Sequence, residues 1–321
     1  MSDLRGSPSD DCDRHVDPQS ARCPLCESTL SSHVESVTWG AIRSALCRYV
    51  GAPPPDTLDL PGIEEVVKIV RCATCALEYS QPTFAGKSAF YEYVTAVADY
   101  YDPARWDFRR ARSRIRPTDS VIDLGCGAGD FLCGLPNSLT VGIDANPTAI
   151  RIAKERGIDV IEGAPWDVPD RLDASFDVVC SFQTMEHLAS VDQLVSSARR
   201  LAVPGGLILI SVPNRERSAV NEVAVLDWPP HHLSRWAPEQ MQVLSERWSL
   251  ESLAVEVETR TPGRSAILGS YVLLQTAVGR SPIDIIEGQE RQRLSWRGLR
   301  TRHTLLGVFR RPLDDDRLNS P

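Results

Sequence analysis

Two pairs of cysteines near the start of the sequence have the spacing of metal ligands. The segment "RCPLC" contains Cys23 and Cys26, and "RCATC" repeats the same spacing with Cys72 and Cys75. Two Cys-x-x-Cys pairs can supply the tetrahedral thiolate set that Zn²⁺ prefers, whereas two unrelated pairs are the alternative. The matched spacing favours a zinc-binding module over residues 21–85.

A glycine-rich segment follows an apolar run that ends at Asp123. Gly125, Gly127 and Gly129 stand at every second position, unlike the G-x-G-x-x-G spacing of dinucleotide-binding loops. Glycines after a strand let backbone N–H groups approach a ligand closely. Asp144 follows about 20 residues later, where an acidic side chain can accept hydrogen bonds from both ribose hydroxyls. The pattern predicts a nucleoside-containing cofactor; a tight turn without a ligand and a nicotinamide cofactor are the alternatives.

Histidine is the first candidate for a catalytic base, because its ordinary pKa lies nearest to neutral pH. His187 follows Glu186 in "FQTMEHL", and His231 and His232 stand together in "WPPHHLSRW". We predict that His187, oriented by Glu186, removes a proton from the substrate or orients it. The segment with His231 and His232 is predicted to close over the site. A packed helix start at His187 and a purely structural loop at the histidine pair are the alternatives.

The elements that would position these residues alternate regularly between strands and helices. Apolar, β-branched runs predict strands at 121–125, 139–145, 160–163, 176–183, 207–213, 250–258 and 303–311. Helical patterns occupy 38–50, 129–135, 147–157, 191–203 and 237–244. Apolar strands that alternate with helices are typical of a parallel sheet covered on both faces. We predict an α/β fold with a doubly wound, mostly parallel, seven-stranded sheet. The carboxyl ends of its strands would bring the candidate residues to one edge.

The remaining segments suggest how the chain is divided. Residues 1–20 are polar and predicted to be disordered, and residues 86–117 form a helical lead-in. The sheet would occupy residues 118–312, with a lid insertion at about 214–245, and residues 313–321 form a polar tail.

Composition limits the partners of the protein. Hydrophobic residues make up 42% and charged residues 24%, as in ordinary soluble globular proteins. A net charge of −8 argues against nucleic acid as the main partner. The polar N-terminus predicts no signal peptide, and the most apolar run, 266–278, is too short to span a membrane. We expect a cytoplasmic protein without a membrane partner, and the oligomeric state stays open.

The glycine loop, Asp144, "FDVV" (residues 176–179) and "VPGGLILISVPN" (residues 203–214) together resemble the class I S-adenosylmethionine-dependent methyltransferases. The resemblance extends from about residue 99 to residue 311. It implies S-adenosyl-L-methionine as cofactor and methyl transfer as the activity.

The resemblance also implies a set of cofactor contacts. The glycine loop would pass the methionine part, Asp123 would orient its amino group, and Asp144 would bind the ribose. An aspartate that the family often places near the adenine is replaced here by Ala164, so that Trp166 or Asp167 would cover the ring. The implied cofactor-binding residues are Asp123, Gly125, Cys126, Gly127, Gly129, Asp144, Ala145, Asn146, Trp166 and Gln183.

The cysteine pairs, "LEYSQP" (residues 77–82) and "DYYDPARWDFRRA" (residues 99–111) extend the resemblance to a bacterial subgroup with an N-terminal zinc module. Members of this subgroup act in sugar, cell-surface polysaccharide and natural-product pathways, and the resemblance implies a structural zinc. Sugar C-methyltransferases of this kind often carry Glu-His with a nearby tyrosine where Thr184 stands here. The change favours O-methylation of a small molecule or sugar-bearing intermediate over C-methylation.

Two other functions are open to the same sequence. An RNA methyltransferase could use the zinc module to contact nucleic acid, although its surface would be more basic. A binding protein could keep the methyltransferase fold without catalysis, but the intact glycine loop and Asp144 argue against it.

Overall fold

The computed structural model describes residues 22–96, 103–136, 139–216, 225–258 and 304–313. The predicted N-terminal tail, the apolar run 266–278, His303, most of the polar tail and residues 217–224 of the insertion lie outside these ranges. Within them, no helix combines the length and the apolar character that a bilayer crossing requires.

The first part of the chain builds a small antiparallel sheet with three helices. Its elements are β1 (Ser31–Thr38), α1 (Trp39–Val50), β2 (Val66–Cys72), β3 (Glu78–Gln81), α2 (Ser88–Thr95) and α3 (Trp106–Arg112). Helix α1 confirms the helix predicted at 38–50, since Thr38 caps its first turn and Gly51 ends it with a φ of 81°. Strand β1 was not predicted, because it is exposed along most of its length and lacks an apolar alternation.

The second part of the chain alternates strands and helices. Its elements are β4 (Val121–Leu124), β5 (Thr140–Asp144), α4 (Pro147–Glu155), β6 (Asp159–Glu162), β7 (Phe176–Phe182), α5 (Asp192–Leu201), β8 (Ala202–Pro213), β9 (Ser234–Arg235), α6 (Pro238–Arg247), β10 (Glu251–Val257) and β11 (Thr304–Arg310).

Seven of these strands form one sheet in the order β10-β11-β8-β7-β4-β5-β6. Strands β4 to β8 pair in parallel, and β11 and β10 add antiparallel strands at one edge. Strand β4 is buried at every position, and β7 at all but one, as expected for strands covered on both faces. The predicted Rossmann-like methyltransferase fold with a mostly parallel seven-stranded sheet is confirmed.

The helix predicted at 129–135 is wrong. The chain makes only one 3₁₀ turn there, at Leu132–Gly134. Gly129 has a φ of 77°, which a right-handed helix excludes, and Leu135, the residue before Pro136, is extended. The glycine loop therefore needs a left-handed residue where the periodicity suggested a helix start.

The two sheets share residues and a core. Strand β9, from the predicted lid insertion, pairs antiparallel with β3. One hydrophobic cluster joins cysteine-region residues such as Leu77 and Tyr79 to Ile122 in the central sheet and to the fully buried Trp236. The N-terminal region and the central sheet thus pack as one unit, although the sequence suggested consecutive regions.

Candidate active site and cysteine cluster

The glycine loop is fastened to the neighbouring strand by Asp144. Asp144 Oδ2 accepts a hydrogen bond from Gly127 N at 2.8 Å, and its Oδ1 accepts one from Asn146 N at 2.8 Å. Gly125 N donates to Ile143 O at 2.8 Å. Asp144 thus holds the loop after β4 against the end of β5, at the edge where parallel sheets bind ligands.

Asp123 and Gly125 fit a cationic, closely approaching ligand. The carboxylate of Asp123 is buried, and its Oδ1 accepts no hydrogen bond from any described residue. Burial raises the pKa of Asp123 to about 7, and nearby Arg105 opposes the shift. A Cβ atom on Gly125 would lie 2.4 Å from Thr184 Oγ1, so only glycine fits there. A buried acid beside a glycine cradle suits the amino group of S-adenosylmethionine.

The other predicted cofactor residues lie around this edge. Asn146 caps α4 with its side chain, and Gln183 follows the last residue of β7 with a φ of 53°. Gly163 N donates to Asp144 O at 3.0 Å, which brings the turn with Trp166 close to Asp144. Trp166 is half-buried and has no hydrogen bond or ring contact with any described residue. Ala145 is exposed, and Cys126 is buried below the loop.

A polar network that the sequence did not indicate supports Gln183. Gln183 Nε2 donates to Ser211 Oγ at 3.4 Å, and Ser211 Oγ donates to Asp107 Oδ2 at 2.6 Å. Asp107 is buried and is paired with Arg105. In the sequence, only the segment "DPARWDFRRA" pointed to this region. The network itself could not be predicted, because residues on α3 and β8 become neighbours only after folding.

The structure brings His187, His231 and His232 together. Each offers one ring nitrogen, and these three nitrogens lie within 4.8 Å of one another. The ring centroids of His187 and His231 are 4.6 Å apart, and those of His231 and His232 are 4.5 Å apart. We call these three residues the histidine cluster.

The Nδ1 atom of each imidazole is held by an oxygen atom. His187 Nδ1 donates to the carbonyl of His231 at 2.5 Å, and His231 Nδ1 donates to the carbonyl of Leu226 at 2.9 Å. His232 Nδ1 lies 3.2 Å from Asp227 Oδ1. A carbonyl accepts but cannot donate, so the first two rings carry their proton on Nδ1 and their lone pair on Nε2.

Glu186 lies behind the cluster and Tyr91 closes one side. Glu186 Oε1 is 3.9 Å from Nε2 of both His187 and His232. The ring of Tyr91 stands perpendicular to that of His187, with centroids 5.6 Å apart. Burial lowers the pKa of His187 to about 4, although hydrogen bonds to the carbonyls of His231 and Gln183 act in the opposite direction. Burial also lowers the pKa of His231. Tyr91 and Asp227 were missed as site residues, since their sequence contexts indicate only helix and loop.

The histidine cluster lies next to the glycine loop. Thr184 faces Gly125, and His187 N donates to Thr184 O at 3.1 Å in the turn that follows β7. The predicted base and the predicted cofactor loop are therefore connected through a single residue.

The segment with His231 and His232 is anchored on two sides. Leu233 N donates to Glu186 O at 2.8 Å, and Ser80 N donates to Leu233 O at 2.9 Å. Gly86 N donates to Pro230 O at 3.0 Å. These bonds tie the segment to the turn after β7 and to the N-terminal sheet, so it forms a fixed wall of the site in this conformation.

The four paired cysteines converge on one point. Cys23 Sγ and Cys75 Sγ are 3.5 Å apart, as are Cys26 Sγ and Cys72 Sγ, and all four sulfur atoms lie within 4.8 Å of one another. Zn–S bonds of about 2.3 Å would give tetrahedral edges of about 3.8 Å. The four thiols thus fit a zinc ion.

The two cysteine turns have the same local structure. Glu27 N donates to Cys23 O at 2.9 Å, and Ala76 N donates to Cys72 O at 3.0 Å. Glu27 and Ala76 both adopt positive φ, 61° and 58°. The backbone therefore presents both cysteine pairs in one conformation, which a chance pair of motifs would not require.

The fold and the glycine-loop edge define the class of this protein as an S-adenosylmethionine-dependent methyltransferase. Residues 99–260 match the family described as a methyltransferase domain. Because this match covers half of the chain, the protein belongs to that family.

Several curated relatives are ubiquinone biosynthesis O-methyltransferases. The enzyme of Brucella anthropi is 30% identical over 141 residues, which cover 41% of this chain and 55% of the relative. The enzyme of Maricaulis maris is 30% identical over 210 residues, which cover 58% of this chain and 78% of the relative. The chain therefore spans about half the length of the first of these relatives. Among solved structures, a methyltransferase from Archaeoglobus fulgidus is 18% identical, with a TM-score of 0.43, over 63% of this chain and 90% of that chain.

Proposed function

We propose that this protein transfers a methyl group from S-adenosylmethionine to a hydroxyl oxygen of a small molecule. The observation that supports this most is the contact between the two halves of the site. The histidine cluster stands beside the glycine loop, with Thr184 between them.

The chain's own residues would divide the work as follows. Asp123 holds the amino group of the cofactor and Asp144 holds its ribose, and the cofactor supplies a reactive methyl group. His187, backed by Glu186, acts on the proton of the acceptor, and His231 and His232 form the wall against which the acceptor lies. Holding the acceptor oxygen in line with the methyl group accounts for much of the acceleration.

The acceptor class follows from chemistry rather than from a bound ligand. Oxygen methylation requires removal of a proton, for which the imidazoles are suited. The names of the Brucella and Maricaulis relatives support an O-methyl product. The proposed acceptor is a sugar-bearing or natural-product intermediate, or a phenolic precursor. The proposed location of the protein is the cytoplasm.

The cysteine cluster would hold a structural zinc ion. The matched turns and the sulfur distances support four thiolate ligands, Cys23, Cys26, Cys72 and Cys75, with no open position. The zinc would then fix the N-terminal sheet, to which the wall of the active site is hydrogen-bonded.

A cofactor-turnover screen tests the proposal. S-adenosylhomocysteine formation would be measured with nucleotide sugars, glycosylated metabolites and phenols, and with a structural RNA as control. We expect turnover with a small hydroxylated acceptor and none with RNA. Turnover with the RNA alone would instead support the RNA methyltransferase.

The His187→Ala variant tests the catalytic role. Loss of a general base typically lowers turnover by about 10²- to 10⁴-fold. Affinity for S-adenosylhomocysteine should stay near that of the wild type, because the contacts of Asp144 and Asp123 are intact. Full turnover in His187→Ala with the true acceptor would remove His187 from the mechanism.

A further inference from the structure

We propose that His187, His231, His232 and Glu186 bind a divalent first-row metal ion, which positions the acceptor hydroxyl. The metal site itself follows from the arrangement of the side chains. Its part in methyl transfer rests on the proposed function.

The donor atoms are already close to a coordination geometry. Three ring nitrogens lie within 4.8 Å of one another, and Glu186 Oε1 lies 3.9 Å from two of the Nε2 atoms. With bonds of about 2.1 Å, neighbouring ligands of the ion lie about 3.0–3.4 Å apart, and a five-coordinate ion keeps one position open for the acceptor hydroxyl beside the four protein ligands. The two Glu186 distances would have to shorten by about 0.5 Å, and a pair of ring nitrogens at the 4.8 Å limit by about 1.4 Å, through rotation of the side chains around the ion.

The imidazoles are supported as metal-binding histidines usually are. Such histidines donate their other ring N–H to a carbonyl or a carboxylate, which fixes the tautomer and aims the lone pair at the metal. Here Nδ1 of His187 and of His231 donates to a backbone carbonyl, and Nδ1 of His232 faces the Asp227 carboxylate. A cluster that served only packing would not need all three rings held through the same nitrogen.

The charge around the cluster also favours a cation. Glu186 and Asp227 are buried, with 0% and 6% of their surface exposed, beside three imidazoles. The negative charge of these carboxylates would stabilise a divalent ion bound beside them. Imidazole and carboxylate ligands suit Zn²⁺, Fe²⁺ or Ni²⁺, whereas the four thiolates of the cysteine cluster form a separate, softer site.

With its lone pair on the ion, His187 would act on the acceptor proton through the ion and not as a free base. A hydroxyl group bound to a divalent cation is more acidic, so its O–H bond breaks and the proton passes to solvent. The resulting alkoxide or phenoxide attacks the methyl carbon, an O–C bond forms and the C–S bond breaks. The electron pair of that bond stays on sulfur, which gives S-adenosylhomocysteine.

Cobalt binding to the zinc-loaded protein tests the metal site. Co²⁺ added to protein that retains its cysteine-bound zinc should bind at one equivalent per chain, measured by calorimetry and elemental analysis. Its spectrum should lack the intense sulfur-to-cobalt charge-transfer band of thiolate ligands. No bound Co²⁺, or only Co²⁺ with that band, would overturn the proposal.

Variants locate the ion. In His187→Gln and His232→Gln, the amide can still donate a hydrogen bond to the oxygen atom that faces Nδ1, but the imidazole ligand is lost. Each variant should bind Co²⁺ at least about tenfold more weakly than the wild type. The matched control is His33→Gln, since His33 is an exposed histidine on β1 that bonds to Ser36, and its Co²⁺ affinity should equal that of the wild type. Circular dichroism and retention of the cysteine-bound zinc show that each variant is folded. Unchanged Co²⁺ affinity in both cluster variants contradicts the assignment.

Turnover separates this proposal from the proposed function. If Co²⁺ or Zn²⁺ binds at the histidine cluster but no acceptor is methylated, the metal site stands and the proposed function fails. If methyl transfer is equally fast with the cluster free of metal, the metal inference fails and His187 acts as the base directly.

Discussion

At the scale of single residues, Asp144 has two roles, whereas the sequence indicated only one of them, the contact with the ribose. Its carboxylate is the predicted ribose acceptor, and in the structure it also bonds to Gly127 N and Asn146 N. Removing it should therefore loosen the loop as well as the ribose contact.

The Asp144→Ala variant should lose about 2–3 kcal/mol of S-adenosylhomocysteine binding, the range for hydrogen bonds to a charged group. Calorimetry measures the loss. Asp159→Ala is the matched control, because Asp159 is an exposed acid at the opposite end of the next strand. Wild-type affinity in Asp144→Ala would exclude Asp144 from the cofactor site.

Asp123 predicts a pH dependence of cofactor binding. Burial raises the pKa of Asp123 to about 7, so its carboxyl is largely protonated below that pH in the free protein. A cationic amino group binds the ionised form better, so affinity for S-adenosylmethionine should rise as pH increases through about 7. Below that pH, binding should release a proton.

Calorimetry in buffers with different ionisation enthalpies would detect this proton. The Asp123→Asn variant should bind more weakly, and its affinity should lose this pH dependence. The test range extends about one pH unit on each side of the pKa of Asp123, from roughly pH 6 to 8. A wild-type affinity that does not change over this range contradicts the role of Asp123.

At the scale of elements, the glycine loop depends on space as much as on backbone freedom. Gly125 has a φ of 84°, and an added Cβ would meet Thr184 Oγ1 at 2.4 Å. Gly157 has a φ of 80° but nothing within 4 Å of the same position. The two glycines therefore share one backbone conformation in different surroundings.

This pair gives a matched test. Both Gly125→Ala and Gly157→Ala should cost about 1–2 kcal/mol of stability for left-handed backbone, and Gly125→Ala should cost more than that because its Cβ would meet Thr184. Only Gly125→Ala should also lower cofactor affinity, and adding Thr184→Ala should restore part of it. Equal cofactor affinity in the two single variants would show that the close approach at Gly125 does not matter for binding.

At the scale of the whole molecule, the cysteine cluster is linked to the active site through the N-terminal sheet. Gln240 Nε2 on α6 donates to Cys75 O at 2.8 Å, and Arg215 Nη1 donates to Ala76 O at 3.0 Å. Strand β3, which follows the second cysteine turn, pairs with β9, directly after the histidine pair. Loss of the metal at the cysteine cluster should thus also disturb the position of the segment with His231 and His232.

The Cys23→Ser, Cys26→Ser double variant should lose the zinc that elemental analysis detects in the wild type. Its N-terminal region should become less stable, since a structural zinc contributes folding free energy. Turnover should fall as well. Cys133→Ser, which alters an exposed thiol outside the cluster, should change none of these properties. A double variant that retains one thiolate-bound zinc would refute the ligand assignment.

The sequence by itself determined the central sheet, the glycine loop and the spacing of the cysteine pairs. Buried parallel strands appear as apolar runs, and left-handed turns need glycine, so both features are local and visible in the sequence. The same rule explains the wrong helix at 129–135, because a helical pattern did not reveal that Gly129 adopts a left-handed conformation.

Only the tertiary structure decided that the histidine cluster exists and what surrounds it. His187 follows β7, whereas His231 and His232 come from a segment that β3 and the turn after β7 hold in place. Tyr91 and Asp227 join them from a helix and a loop that give no sequence signal. Their convergence depends on how strands that are distant in sequence pair and pack, and this long-range geometry is not encoded in the local pattern of any single segment.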